Sequence, residues 1–588
     1  MSNSPDAGAT GPLGLSIKLN GSLIPENTMI TSVRIDKDIG RIPEAMVAIQ
    51  SEGVEIEEFA EVDSDEFKIG SDIEIATYYG DETEAMVFKG IVVNTRLRMD
   101  SQRGTSLELF CRDKSMKLTE VRKSVKYNEK KDSDIITAII DDAGLQSVVE
   151  PTTLTWDQLR VDSSDWDFLR LLADRNGLLV KVDAGKITVN APDLSKKAAL
   201  TVTLGVDIIT YDATIDSQRM IERATYIAWN STTQTVVTGA EAQMTDPSIG
   251  NTAASIIAGV LGPREMTTPI GADTSDAALK SFAKARMMRA GLDAIYGSCS
   301  FIGSGAIAPG DMLEIKNASD RFSGVAFVSG LTNQIEGGSW TTRVRMGLPL
   351  DWVSDTPRLA RPQASGIATP VPGLQIGVVV KRHEDPDNKD RIQIKLPLLS
   401  DDPETLVWAR MGTPYATSDA GIQFLPEIND EVLVGFLHDD PNAPVILGSL
   451  HNATAARPLE ATEDNFIKMI ITPEKLKIEF DDEKKILSLE TPGGHSIVLD
   501  DDGTAIKLTD SNGNTITLDD KGITLDSTSD ITLNASGKID VTAGQDASIT
   551  GANVTCDGAE AFTGKGGATA EVSASGQTTI KGAMVMIN

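Results

Sequence analysis

The sequence predicts a mainly β fold: a strand-rich N-terminal part with short helices inserted, a small β-barrel, and a C-terminal prism that one chain does not close by itself. Three observations carry that reading. Runs such as "LSIKLNGSL" and "DEVLVGFLH" alternate apolar and polar residues, the period of a sheet with one wet and one dry face. Helical periodicity is confined to a few short windows. Near the end an apolar-x-apolar triplet keeps a beat: Ile516/Leu518, Ile523/Leu525, Ile531/Leu533 and Ile539/Val541 start 7, 8 and 8 residues apart, and Ala547/Ile549 and Val554/Cys556 follow at 8 and 7.

Residues 14 to about 120 read as strands: "LSIKLNGSL", "MITSVRIDK", "AMVAIQ", "DIEIATYYG", "VFKGIVVNTRLRM" and "TSLELFCRD". Residues 132–144 read as a short amphipathic helix, with Asp132 or Ser133 as cap, Ile135, Ile136, Ile139 and Ile140 as the buried stripe, and Gly144 as the stop. A second helix follows in "SSDWDFLRLLADRNG", capped by Ser164, with Trp166, Leu169, Leu172 and Ala173 inward. Strands return in "LLVKVDAGKITVN", a helix spans 275–292, and "DMLEIKN", "GVAFVSGLTNQIE" and "WTTRVRMG" are strands again. From 351 to 373 the composition turns to Pro, Ala, Ser and Thr, a linker. Residues 374–452 form the small barrel, with strands "IGVVVKR", "RIQIKLP", "TLVWARMG", "GIQFLPE", "DEVLVGFLH" and "PVILGSLH".

The eight-residue beat is too short for a full rung of a single-chain β-helix. Asp-Asp, Lys-Gly, Asn-Ala-Ser-Gly and Ala-Gly separate its triplets, residues that turn a chain cheaply. One ribbon of this kind has a narrow dry face and unpaired edges. Three chains, each supplying one wall, close the edges and bury the apolar stripe, each buried side chain contributing roughly 1.5–3 kcal/mol before chain entropy is subtracted. The expected axis residues are Ile516, Leu518, Ile523, Leu525, Ile531, Leu533, Ile539, Val541, Ile549 and Val554. An ordinary meander sheet with polar hairpin turns is the alternative.

At 588 residues the chain is long enough for several domains. A net charge of −32 disfavours nucleic acid and anionic lipid as partners. Cys111, Cys299 and Cys556 lie far apart without CxxC spacing, so neither a disulfide framework nor a cysteine zinc site is expected. The N-terminus shows no basic-then-apolar leader and no apolar run approaches a membrane span, so synthesis as a cytoplasmic chain without a signal peptide is the expectation.

The barrel segments "GVVV", "DRIQIKLPLL", "WARMGTPYA" and "GIQFLPEINDEVLVGFLHDDPNAPVILGSLHN" resemble, in order and spacing, the OB-fold domain of VgrG proteins and myophage tail spikes. "DWDFLRLLADRNG" (165–177) and "APGDMLEI" (308–315) resemble the hub of the same family, seen also in phage late-control proteins, and "ASGQTTIKGAMVMIN" resembles the end of its needle. The resemblance implies a homotrimeric spike with two similar barrels per hub chain, an OB-fold collar and an intertwined, triangular β-helical needle. It divides the chain into a hub (1–350), the linker (351–373), the collar (374–452), a connector (453–485) and the needle (486–588). It also implies partners: a hexameric tail tube, baseplate proteins, effector cargo, and a PAAR-like tip cone. Met584, Met586, Ile587 and Asn588 are the candidate contacts for that cone.

Candidate chemistry is sparse. An OB-fold often binds nucleic acid or sugar. Here Trp408, Tyr415, Phe424 and Phe436 are few, and Lys381, Arg382, Lys389, Arg391, Lys395 and Arg410 are matched by acids. His383, His438, His451 and His495 have no metal-ligand spacing. "LDDDG" (499–503) lacks the alternating ligands and final Glu of an EF-hand, and "TGKGG" (563–567) is not a P-loop. The gap from Ser449 to Ile486 is too short for a folded enzyme domain, and no effector fused after the needle is expected. No catalytic residues, cofactor or metal are expected. The function expected is a structural spike and hub at the centre of a contractile injection machine, capping its tail tube and puncturing the target envelope. The alternative is a trimeric tailspike-like enzyme cutting glycans with paired carboxylates, against which stand the short turns between needle strands.

Overall fold

The computed structural model describes residues 4–5, 11–50, 64–80, 83–100, 104–247, 249–271, 274–355, 364, 368–399 and 406–587. Part of the expected linker, at 356–363 and 365–367, and Asn588 lie outside the described residues. The chain divides into two units, Met1–Ser449 and Leu450–Asn588.

The first unit is built on a thirteen-stranded sheet. Its strands keep the alternation of the sequence: Glu44–Gln50 and Gly104–Arg112 each bury every second residue. Their register sets Val47 opposite Leu109 and Ala45 opposite Cys111, so both strands deliver side chains to one core. Strand Ile30–Asp38 pairs antiparallel with Gly324–Glu336, Glu336 opposite Ser32 and Gly330 opposite Asp38. This seam joins an N-terminal group of strands, with a core around Val33, Ile75, Phe88 and Leu109, to a later group with a core around Leu200, Phe301, Leu313 and Val344. Gly330 is required there, because a Cβ would lie 1.8 Å from Asp38 Oδ1.

Two insertions decorate the sheet. The first holds helices Asp132–Asp142 and Asp165–Arg175 against strands Leu179–Asp183, Lys186–Asn190 and Gln146–Val149. The isoleucine stripe is buried with Leu169, Leu172 and Ala173 as the 3.6-residue period predicts. Ser164 caps the second helix, accepting from Asp167 N and donating to Asp167 Oδ2. The expected cap of the first helix is corrected. Lys131 occupies the capping position without a side-chain bond, and Asp132 is already helical. The Asp132 carboxylate is fully buried and receives Arg175 Nε at 2.7 Å and Asn176 Nδ2 at 2.6 Å. A buried carboxylate needs a charge partner more than a helix needs a side-chain cap. Ser133 receives its own cap-like contact from outside, donating its N–H to Thr152 Oγ1.

The second insertion is a three-stranded sheet, Thr235–Glu241, Arg223–Asn230 and Glu265–Ile270. Helix Asp276–Asp293, capped by Ser275, packs Leu279, Ala283 and Met287 on its inner face. Arg286 and Arg289 of this helix hold the start of the expected linker. Arg289 donates to the carbonyls of Pro349 and Asp351, and Arg286 pairs with Asp355 at 3.0 Å while lying 4.2 Å from the Trp352 ring centre.

The small barrel is closed, in the order Leu374–Lys381, Arg391–Lys395, Leu406–Met411, Pro444–Leu450 and Glu431–Phe436. Val379, Ile392, Ile394, Ala409, Val432, Val434 and Ile446 fill it. The expected strand "GIQFLPE" is not part of it. Among the described residues Ala420–Gly421 pairs only with Ala416–Thr417, and Ile422, Phe424, Leu425 and Ile428 stand exposed on a loop. Five strands already close the barrel, so a sixth apolar run finds no core to enter.

Candidate functional site

The C-terminal unit carries the surface that sequence reasoning singled out. Seven strands, Ile467–Ile471, Lys477–Asp481, Ile486–Glu490, Ser496–Asp500, Ala505–Thr509, Thr515–Asp519 and Gly522–Asp526, form one antiparallel meander in chain order. The sheet starts earlier than the expected needle start at Ile486, and its first two strands lie in the segment read as a connector. Turn chemistry fixes each reversal. Asp510 Oδ1 accepts from Asn512 N and Asn514 N, and Gly513 supplies the positive φ of 88°. Those bonds, led by the one from the Asn514 side chain, hold the Asp510 carboxyl below its usual range. The tightest reversal, Asp519 to Gly522, is stapled by Lys521 N donating to Asp519 Oδ1.

Register turns the triplets into two apolar columns. Ile470, Ile478, Leu489, Ile497, Leu508, Ile516 and Leu525 are direct cross-strand neighbours in one. Phe480, Leu487, Leu499, Ile506, Leu518 and Ile523 make the other, with Lys468 at its end. The opposite face carries Met469, Glu479, Ser488, Val498, Lys507, Thr517 and Thr524 in register. Among the described residues the columns are left partly open: Leu499 is 38% exposed, Ile516 40% and Ile523 73%. Ile470, Ile478 and Phe480 belong to this face and escaped the sequence reading. Their segments "IKMII" and "KIEF" carry the period-two signal but break the eight-residue beat.

The ten expected axis residues fall into two classes. Ile516, Leu518, Ile523 and Leu525 share one sheet face, with Ile516 opposite Leu525 and Leu518 opposite Ile523. Ile531, Leu533, Ile539, Val541, Ile549 and Val554 lie beyond Asp526, where the described residues of one chain form no strand. The strand triplets expected there are therefore absent within a single chain. Their side chains stand 54–82% exposed. The tail's first residues are still fastened, since Asn514 Oδ1 accepts from Thr528 N and Ser527 Oγ. At the end Met584, Met586 and Ile587 are 80%, 80% and 88% exposed, and Asn588 lies outside the described residues.

Among the described residues no group of three His, Cys, Asp or Glu side chains could hold a metal ion. No helix there is long and apolar enough to cross a membrane. On the small barrel Arg382 pairs with Glu427, Lys381 with Glu384, and Arg391 with Asp385 and Asp387.

Residues 10–337 match the model of the Alg8 N-terminal domain. Residues 375–451 match the type VI secretion system/phage-baseplate injector OB domain, and 485–588 the phage baseplate V C-terminal trimerisation domain. Among curated proteins, a type VI secretion system spike protein, VgrG3 of Vibrio cholerae, is 32% identical over 147 residues, 24% of this chain and 14% of that protein. The match thus spans a small part of the relative's length. Similar solved structures include the 43 kDa tail protein of prophage MuSo2 from Shewanella oneidensis, at 11% identity and TM-score 0.44, covering 57% of this chain and 99% of that one. A type VI secretion component from E. coli gives 13% and 0.36, covering 74% and 99%. The Francisella PdpA-VgrG complex gives 11% and 0.38, covering 88% of each chain.

Proposed function

This chain belongs to the contractile-tail spike family, its Alg8 N-terminal domain spanning residues 10–337, and from that premise we propose that it is the trimeric spike and hub of an injection machine. The observation that carries the reading is the uncovered two-column face of the C-terminal meander, running into a tail with no strand partner of its own. An exposed apolar face of that length is a binding surface, and the tail's backbone groups need partners. Two further copies supply both at once. Each meander becomes one wall of a prism with its columns turned to the axis. Beyond Asp526 the three tails pair with one another, burying Ile531, Leu533, Ile539, Val541, Ile549 and Val554. The tube-capping and envelope-puncturing roles rest on family membership, and the prism supplies the stiff needle they need.

Mass in solution tests the trimer. Full-length protein at micromolar concentration is expected at three times the 62.7 kDa chain mass, and unheated samples should keep that mass in SDS. A monomer in sedimentation refutes the prism.

At the far end Met584, Met586 and Ile587 present apolar side chains that stand exposed in the single chain. Methionine adapts to a partner surface, and we assign these residues, with Asn588, to binding a PAAR-like cone. Removing residues 583–588 is expected to leave a folded trimer that no longer captures the cone in a pull-down. Undiminished capture places the contact elsewhere.

A further inference from the structure

In the first unit a cleft of about 560 Å³ opens where strands Ile30–Asp38, Glu44–Gln50, Gly104–Arg112 and Ser339–Met346 meet helix Asp165–Arg175. Five arginines line it: Arg34, Arg41, Arg112, Arg170 and Arg345. Three are neutralised one to one. Arg34 Nε lies 2.7 Å from Asp36 Oδ2, a terminal nitrogen of Arg345 lies 2.6 Å from Asp38 Oδ1, and Arg112 pairs with Glu44 directly opposite it in the sheet. Arg41 and Arg170 make no ion pair within the described residues.

The carboxylates nearest Arg170 are committed elsewhere. Asp174 binds Arg289 at 2.5 Å and Val353 N at 2.7 Å, and Asp167 receives the Ser164 hydroxyl. Burial pushes the Arg170 guanidinium down from its ordinary range, and Arg289 and Arg41 add to that push against the pull of Asp174 and Asp167. Gly40, in the left-handed region at φ 69°, lies beside this group, where a Cβ would be within ordinary contact distance of Arg170 Nε. Trp166, 5% exposed, forms an apolar wall, which strengthens attraction in the cleft by excluding water.

We propose that this cleft is a receptor for an oxyanion, a carboxylate or phosphoryl group held between the guanidinium groups of Arg41 and Arg170. Two uncompensated guanidiniums in a chain of net charge −32 are a local exception, and their planar forks match the paired oxygens of such groups. The inference stands on the first unit alone and is independent of the trimer.

The test is calorimetric titration of the full-length protein at constant ionic strength with three probes: propane-1,2,3-tricarboxylate, inorganic phosphate, and a peptide of consecutive aspartates. Saturable binding of at least one probe, one per chain, is expected, weakened about tenfold or more in R41Q/R170Q. R96Q/R98Q, which alters arginines paired with Glu108 on a neighbouring strand, should bind as the parent does. Arg41 is exposed, so R41Q alone should fold normally and show an intermediate loss, which separates site damage from misfolding. Preference for the free anions assigns a small-molecule source, and preference for the peptide assigns an acidic segment of a protein. Either supports the receptor. Absence of saturable binding by the parent protein, or equal binding by R41Q/R170Q, overturns it.

Discussion

Asp385 organises the loop between the first two barrel strands. It accepts from the backbone N–H groups of Asp387, Lys389 and Arg391, and from two side-chain nitrogens of Arg391. Those bonds, the Arg391 pair foremost, hold its carboxyl well below the usual carboxylate range. A depressed pKa stabilises the fold fully above the unfolded value and loses that contribution only as pH falls through the folded one. The loop should therefore keep its amide protection from pH 7 down to pH 4 and release it in stronger acid. D385N should lose protection at Asp387, Lys389 and Arg391 throughout, as read by hydrogen exchange. Equal protection in the variant would show that the loop is held by something else. The sequence hides this residue, because a short run of alternating acids and bases looks like any solvated turn.

At the scale of elements, the columns of the C-terminal meander make opposite predictions for neighbouring residues. L508D, I516D and L525D together place three carboxylates on the apolar face of each chain, where burial without a partner costs several kcal/mol per charge. The trimer should be lost in sedimentation. K507E, T517D and T524D alter the adjacent residues on the other face and should leave assembly intact. Equal loss in both sets would mean the faces are assigned wrongly. Much here was legible. Period-two triplets and turn residues specified strands and reversals from Ile516 through Asp526, Ser164 announced its helix by cap and periodicity, and the later helix was legible as a span starting at Ser275. Two features were not. "GIQFLPE" has a strand's composition, yet composition does not reveal that five strands already complete the barrel. The triplets after Asp526 look like those before it, yet they form no strand in the single chain; in the trimer we propose, the missing partner is another copy.

At the scale of the whole chain, local pattern has least to say. Pairing of Ile30–Asp38 with Gly324–Glu336 joins segments about three hundred residues apart, and no periodicity within either one names the other. The oxyanion cleft is hidden for the same reason, since Arg34, Arg170 and Arg345 meet only through that seam and the helix beside it. The seam is testable at one glycine. G330A brings a methyl group onto Asp38 and should destabilise the first unit by about 1–3 kcal/mol, lowering its thermal midpoint. An unchanged midpoint would show that the seam yields at no cost.

The meander also has a mechanical direction. Its seven strands follow chain order, and neighbouring strands in a sheet stand about 4.7–4.9 Å apart along their hydrogen bonds. A push along the stack presses every strand onto the next, so all the contacts share the load at once. A pull between the first strand and the last acts along the same hydrogen bonds and opens one strand pair at a time, as a zipper opens. As a wall of the proposed prism, the meander would therefore resist a push along its stack and peel under a pull.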